Sequence, residues 1–104
     1  MVQASDMKAQ PLLTVVIPTY NHAEFLKRAL DSVVAQTYKN WEAIVVNNFS
    51  TDNTIAIVES FNDKRIQLIN FGNNGIIAAS RNRGIEAAHG KYVAFLDRKS
   101  TRLN

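Results

Sequence analysis

The sequence predicts an α/β domain: a mostly parallel sheet with helices on both faces, in three α/β/α layers. Two observations carry the prediction. Short apolar, β-branched runs alternate along the chain with stretches whose apolar residues recur every three or four positions. Such alternation implies right-handed crossovers between parallel strands, each strand covered from both sides. No repeat, linker or low-complexity segment interrupts the pattern, so one domain is expected over residues 12–97. A flexible segment of residues 1–11 precedes it, and a tail of residues 98–104, foreign to the body in composition, follows it.

The elements follow in order. Leu12 to Ile17 reads as a buried strand ended by Pro18. From Ala23 to Gln36, Phe25, Leu26, Ala29, Leu30, Val33 and Val34 mark one face of a helix. Asn21 is the expected N-cap, with Glu24 closing a capping box. Ala43 to Val46 is the second strand. Ser50, Thr51 and Asp52 offer caps for a helix that turns Ile55, Val58 and Phe61 inward. Ile66 to Phe71 is the third strand. A third helix is expected over residues 76–88, with Gly90 at its C′ position, and Tyr92 to Leu96 is the fourth strand. The expected strand order is 3-2-1-4, which leaves one edge of the fourth strand open and inviting self-association.

Composition narrows the function. Lys plus Arg number 12 and Asp plus Glu 9, yet Arg98, Lys99 and Arg102 all fall in the last seven residues. Without them the balance is 9 against 9, so the body carries no basic patch for nucleic acid. The absence of cysteine excludes disulfides, thiolate nucleophiles and cysteine zinc sites. No apolar run reaches the roughly 20 residues of a membrane span, and no secretory leader is evident. The expectation is a cytoplasmic protein, or one peripheral to the inner face of a membrane.

Ligands of open α/β sheets bind beyond the carboxyl ends of the strands. Those ends are Pro18-Thr19-Tyr20-Asn21, Asn47 to Asp52, Gly72-Asn73-Asn74-Gly75 and Asp97, all on one edge and rich in amides and hydroxyls. The first strand is followed by no glycine-rich turn, which excludes an ordinary dinucleotide fingerprint and a P-loop. Nor is there an acidic cluster after it, as a flavodoxin-like signalling domain requires.

Several ordered motifs carry a resemblance to family 2 glycosyltransferases. Val15-Val16-Ile17-Pro18-Thr19-Tyr20-Asn21 is similar to the family's opening strand. Gln36-Thr37-Tyr38 and Trp41 to Val46 resemble its first helix end and second strand. Asn47 to Thr54 stands where the family typically has Asp-Asp-Gly-Ser-Thr-Asp. Asn74-Gly75, Ser80-Arg81-Asn82, Gly84 and Gly90 to Asp97 match later landmarks. The resemblance implies the donor-binding part of a GT-A fold, Rossmann-like and truncated, in an enzyme of inverting sugar transfer. A nucleotide-sugar donor, by default a UDP-sugar, and a saccharide or lipid-linked acceptor are its implied partners.

It also implies roles. Pro18, Thr19 and Tyr20 would cradle the base and ribose, unless Pro18 merely ends the strand and Tyr20 is core. Asn48 would take the place of a base-reading carboxylate, keeping an acceptor and gaining a donor while losing charge; alternatively Asn47 and Asn48 are turn residues. Asp52 reads as a helix-start carboxylate. Arg81 would reach the diphosphate or serve a surface ion pair. Asp97 would be the first carboxylate of an Asp-x-Asp motif holding Mg²⁺ or Mn²⁺ against the pyrophosphate. Lys99 occupies the second carboxylate's place, so this metal site is weakened. The family's catalytic base lies in its C-terminal half, so none is expected in this chain. His22 and His89 read as surface residues. The rival reading is a non-catalytic nucleotide- or sugar-nucleotide-binding module that needs no metal.

Overall fold

A computed structural model describes residues 11–72 and 76–96. The expected N-terminal segment (apart from Pro11), the Asn73-Asn74-Gly75 turn, Asp97, Lys99 and the tail lie outside the described residues. Strands and helices alternate as β1 (Leu13–Thr19), α1 (Ala23–Ala35), β2 (Trp41–Asn47), α2 (Thr54–Ser60), β3 (Ile66–Asn70), α3 (Ile77–Ala87) and β4 (Tyr92–Phe95). All pairings are parallel, in the order β3-β2-β1-β4. The order expected from the sequence is the order found.

The period of two in a strand explains the layers. Val15, Ile17, Ala43 and Val45 face one side, where Leu26, Ala29, Leu30 and Val33 of α1 and Val58 of α2 cover them. Val16, Ile44 and Val46 face the other, against Ala87 and Ala88 at the end of α3. Neighbouring residues must point to opposite faces, so β1 and β2 need apolar side chains at nearly every position. α3 approaches closely because Gly84 is bare: a Cβ there would lie 2.4 Å from Val16 Cγ1.

Several local expectations give way to longer-range contacts. Pro18 does not end β1; it lies within the strand, opposite Val46. Tyr92 and Leu96 donate to the carbonyls of Leu12 and Val16, so by alternation Pro18 faces the β4 side, where the pairing among the described residues ends at Val16 opposite Phe95. Its missing N–H falls where the ladder asks for none. The capping box also fails. His22 is the N-cap of α1 and makes no side-chain cap bond, whereas Asn21 is left-handed at φ 53°. In its place Asp52 Oδ2 accepts from Ala23 N at 3.1 Å, across 29 residues.

The second helix begins only at Thr54, with Asn53 as an N-cap lacking a side-chain bond. Thr54 and Val58 turn inward, while Ile55 is exposed, contrary to expectation. The third helix ends at Ala87 and Ala88 is extended, so Gly90 is not a helix C′ residue. Gly90 is instead a spacer against β1. Its N–H donates to Thr14 Oγ1 at 2.9 Å, and a Cβ would lie 2.7 Å from Thr14 N.

Thr14, Glu42 and His89 form a tie at the amino ends of the strands. Thr14 Oγ1 donates to Glu42 Oε2 at 2.7 Å, and His89 N donates to the same oxygen at 2.6 Å. His89 Nδ1 lies 3.2 Å from Glu42 Oε1, so this histidine, although exposed, is engaged. Burial pushes the Glu42 carboxyl up, but the bonds from His89 and Thr14 outweigh it and hold the group below the ordinary value.

Candidate functional site

The rim is built from the ends of β1 and β2. Asn48 N donates to Thr19 O at 3.0 Å, which extends the strand pairing and sets the two loops side by side. Asn21 N donates to Ser50 Oγ at 2.9 Å, and Asn21 Oδ1 accepts from Thr51 N at 2.7 Å. The left-handed backbone of Asn21, a conformation asparagine tolerates, makes both bonds available at once.

Asn47 anchors this edge from beneath. It is buried at the end of β2, where its Oδ1 accepts from Ser50 N at 3.1 Å and Ser50 Oγ at 2.6 Å. Its Nδ2 donates to Asn70 Oδ1 at 3.0 Å on β3. One amide thus ties the β2 loop to the neighbouring strand. Sequence reading missed this role. The signal was present, since an amide in an otherwise apolar strand end must find partners. Asp52 is equally structural, its carboxylate accepting from Thr54 N and Ala23 N. Burial raises its carboxyl, and the bonds from Thr54 and Ala23 bring it below the usual range.

Within this frame the expected site residues divide. Pro18 is buried in β1, and Thr19 is only 6% exposed. The Thr19 hydroxyl has no hydrogen-bond partner among the described residues. Tyr20 is not core: at 51% exposed, it stands open beside Thr19. Asn48 is half-buried next to them. These four come together. Arg81 lies on the β4 side of β1, with its guanidinium 5.3 Å over the Phe95 ring. Asp97 lies outside the described residues. A polar cavity of about 450 Å³ opens beside the rim at the start of α1. It shares Asn21 and Asp52 with these loops but contains none of Thr19, Tyr20 and Asn48.

Phe49 is a further residue the sequence reading passed over. Its φ is 50°, it is 61% exposed, and it occupies the glycine position of the resembled motif. That motif glycine was the available signal, because glycine marks a turn with φ above zero, a shape imposed on whatever residue stands there.

No group of three His, Asp, Glu or Cys side chains suited to a metal ion occurs among the described residues. The described rim offers hydrogen-bonding groups rather than a divalent-cation donor set. No described helix is long and apolar enough to cross a membrane.

A parallel four-stranded sheet of this order with interleaved helices is an α/β fold of the GT-A type. Residues 14–98 match the model of Glycosyl transferase family 2, and the chain belongs to that family.

Three similar proteins set its scale. The UDP-Glc:alpha-D-GlcNAc-diphosphoundecaprenol beta-1,3-glucosyltransferase WfgD of Escherichia coli is 37% identical over 86 residues, covering 83% of this chain and 34% of that protein. The structure of S. aureus TarS 1-349, solved also with UDP, superposes with a TM-score of 0.77 at 31% identity, over 83% of this chain and 27% of that one. Mannosyltransferase PcManGT from Pyrobaculum calidifontis, in complex with GDP-Man and Mn²⁺, superposes with a TM-score of 0.73 at 29% identity, over 85% and 27%. The chain therefore spans about a third or less of the length of these relatives.

Proposed function

We propose that this chain binds the nucleotide of a sugar donor, a UDP-sugar first, within an enzyme that transfers the sugar with inversion to a saccharide or lipid-linked hydroxyl. The observation that carries the reading is the Thr19 hydroxyl, buried without a partner at the edge where the β1 and β2 loops meet. A buried polar atom is costly until something satisfies it, and a ligand group is the natural donor or acceptor. Tyr20 would stack on the base, and the Asn48 amide would meet its polar edge. Arg81 would pair with the diphosphate, where a planar guanidinium suits phosphate oxygens.

Family membership, the UDP bound to TarS, the GDP-Man bound to PcManGT and the UDP-Glc in the name of WfgD support a nucleotide-sugar. Asp97 would hold Mg²⁺ or Mn²⁺ at the diphosphate, weakly because Lys99 replaces a carboxylate. The ion would offset charge on the departing nucleoside diphosphate. Deprotonating the acceptor requires a carboxylate base that none of the residues assigned here supplies, so these 104 residues alone bind donor without completing transfer. The site of action proposed is the cytoplasm, at or near the inner face of a membrane.

Calorimetric titration with UDP and GDP, with and without Mn²⁺, tests the reading. Saturable UDP binding strengthened by Mn²⁺ is the expected result, and Thr19→Val should weaken it. Absence of nucleotide binding under both conditions would sink it. Donor turnover by the 104-residue chain would refute the claim about catalysis alone.

A further inference from the structure

Phe49 holds a backbone conformation that suits glycine and disfavours a bulky side chain, with φ at 50°. The loop imposes it: on one side Asn48 N is tied to Thr19 O, and on the other Ser50 is tied to Asn47 Oδ1. The residue is not buried: Phe49 is 61% exposed. One edge of the ring lies against Gly72: a Cβ on that glycine would meet Phe49 Cε2 at 2.9 Å and Cδ2 at 3.0 Å. The same Cβ would stand 3.9 Å from Asn48 Oδ1, so the ring and the Asn48 amide flank one glycine. An open aromatic surface is thereby held beside a polar group at the edge that carries the unpartnered Thr19 hydroxyl.

We propose that Phe49 is a specificity-determining residue of the donor cleft, an aromatic wall against which the nucleobase packs while Asn48 meets its edge. This rests on the donor-binding reading above. A flat aromatic ligand suits the place because it covers the ring and leaves its own polar edge free for the amide. Gly72 is required on the opposite side, since any side chain there would push the ring out of position.

Titration of the 104-residue chain with UDP and with ribose 5-phosphate, which lacks a base, tests the proposal. Phe49→Leu should raise the UDP Kd by roughly tenfold, as loss of one base–aromatic contact does. Phe49→Tyr should hold the wild-type value. Phe49→Gly, whose backbone is at ease in the left-handed region, keeps the loop while removing the ring, and should lose UDP affinity as Phe49→Leu does. Ribose 5-phosphate should bind wild type and Phe49→Leu alike. If wild type binds UDP and neither Phe49→Leu nor Phe49→Gly weakens it, the aromatic wall is overturned and the donor cleft stands. Equal weakening toward both ligands overturns it as well, marking the ring as a prop for the loop. A wild type that binds no nucleotide overturns both readings.

Discussion

The centre of the sheet and its β4 edge are made of similar residues and end in opposite circumstances. In β1 and β2, Val15 to Thr19 and Ala43 to Asn47 are buried without exception. In β4, Tyr92, Val93, Ala94 and Phe95 are all exposed, Tyr92 by 58%. The helices divide likewise. α1 buries Leu26, Ala29, Leu30 and Val33, whereas α3 buries Ser80 and Gly84 and leaves Ile77 and Ile85 exposed. Apolar residues alone do not make a core; a core also needs elements on every side. β1 has two strands and two helical layers around it, whereas among the described residues β4 pairs with β1 alone. Such an open apolar edge is a place where another surface adds on.

The largest effect should come from the centre. Leu30→Ala removes a fully buried side chain and should cost about 2–5 kcal/mol by denaturant unfolding followed by circular dichroism. A small domain has about 5–15 kcal/mol in all, so this variant should sit near the folding threshold. A loss near zero would mean that α1 is not the central support described.

Gly84→Ala comes next. Its Cβ would fall on Val16, and overpacking of this kind costs about 1–3 kcal/mol, read from the same unfolding curve. The result sharpens the contrast within α3, whose inner face is tight while its outer face is open.

Glu42 joins the two regions by holding His89, just past α3, to Thr14 of β1. Its carboxyl lies lower in the folded state than in the unfolded chain. Its stabilising contribution is therefore fully present above the unfolded value of 4.5 and is lost as pH falls through the folded one. The stability difference between wild type and Glu42→Gln should be constant near neutral pH and shrink below about pH 4.5. A difference that grows on acidification would contradict the tie.

The smallest change in stability belongs to the edge. Val93→Lys should alter unfolding by no more than about 0.5 kcal/mol. Its effect should appear in size-exclusion chromatography instead, where wild type is expected to associate as concentration rises and Val93→Lys to remain monomeric. A wild type that stays monomeric at high concentration would show that the exposed edge is inert.

The comparison also explains which parts were legible in advance. Leu26, Ala29, Leu30 and Val33 were readable as one helix face because their spacing is a local property, and the structure buries all four. Ile55 misled for the same reason: the pattern said apolar, but Thr54 and Val58 had the inward positions once α2 began at Thr54. At the rim, an ordered motif pointed to Tyr20 and Asn48, and the loops set both beside Thr19. The left-handed backbone of Phe49 and the tie from Asn47, read only as a turn residue, to β3 were not legible in advance. Neither property is encoded by residue type alone.

By itself the sequence determined the succession of strands and helices, the parallel order and the edge on which polar groups collect. The succession follows from periodicity and the parallel pairing from short right-handed crossovers, which act over a few residues, while the order came with the family resemblance. Only the tertiary structure decided which side chains cap which backbone, as when Asp52 takes the start of α1 from Asn21 and Glu24. It alone placed Pro18 inside a strand and turned Gly90 into a spacer. A hydrogen bond is worth about the same whether its partner is three residues away or thirty, so the packed arrangement, not proximity along the chain, selects among the candidates.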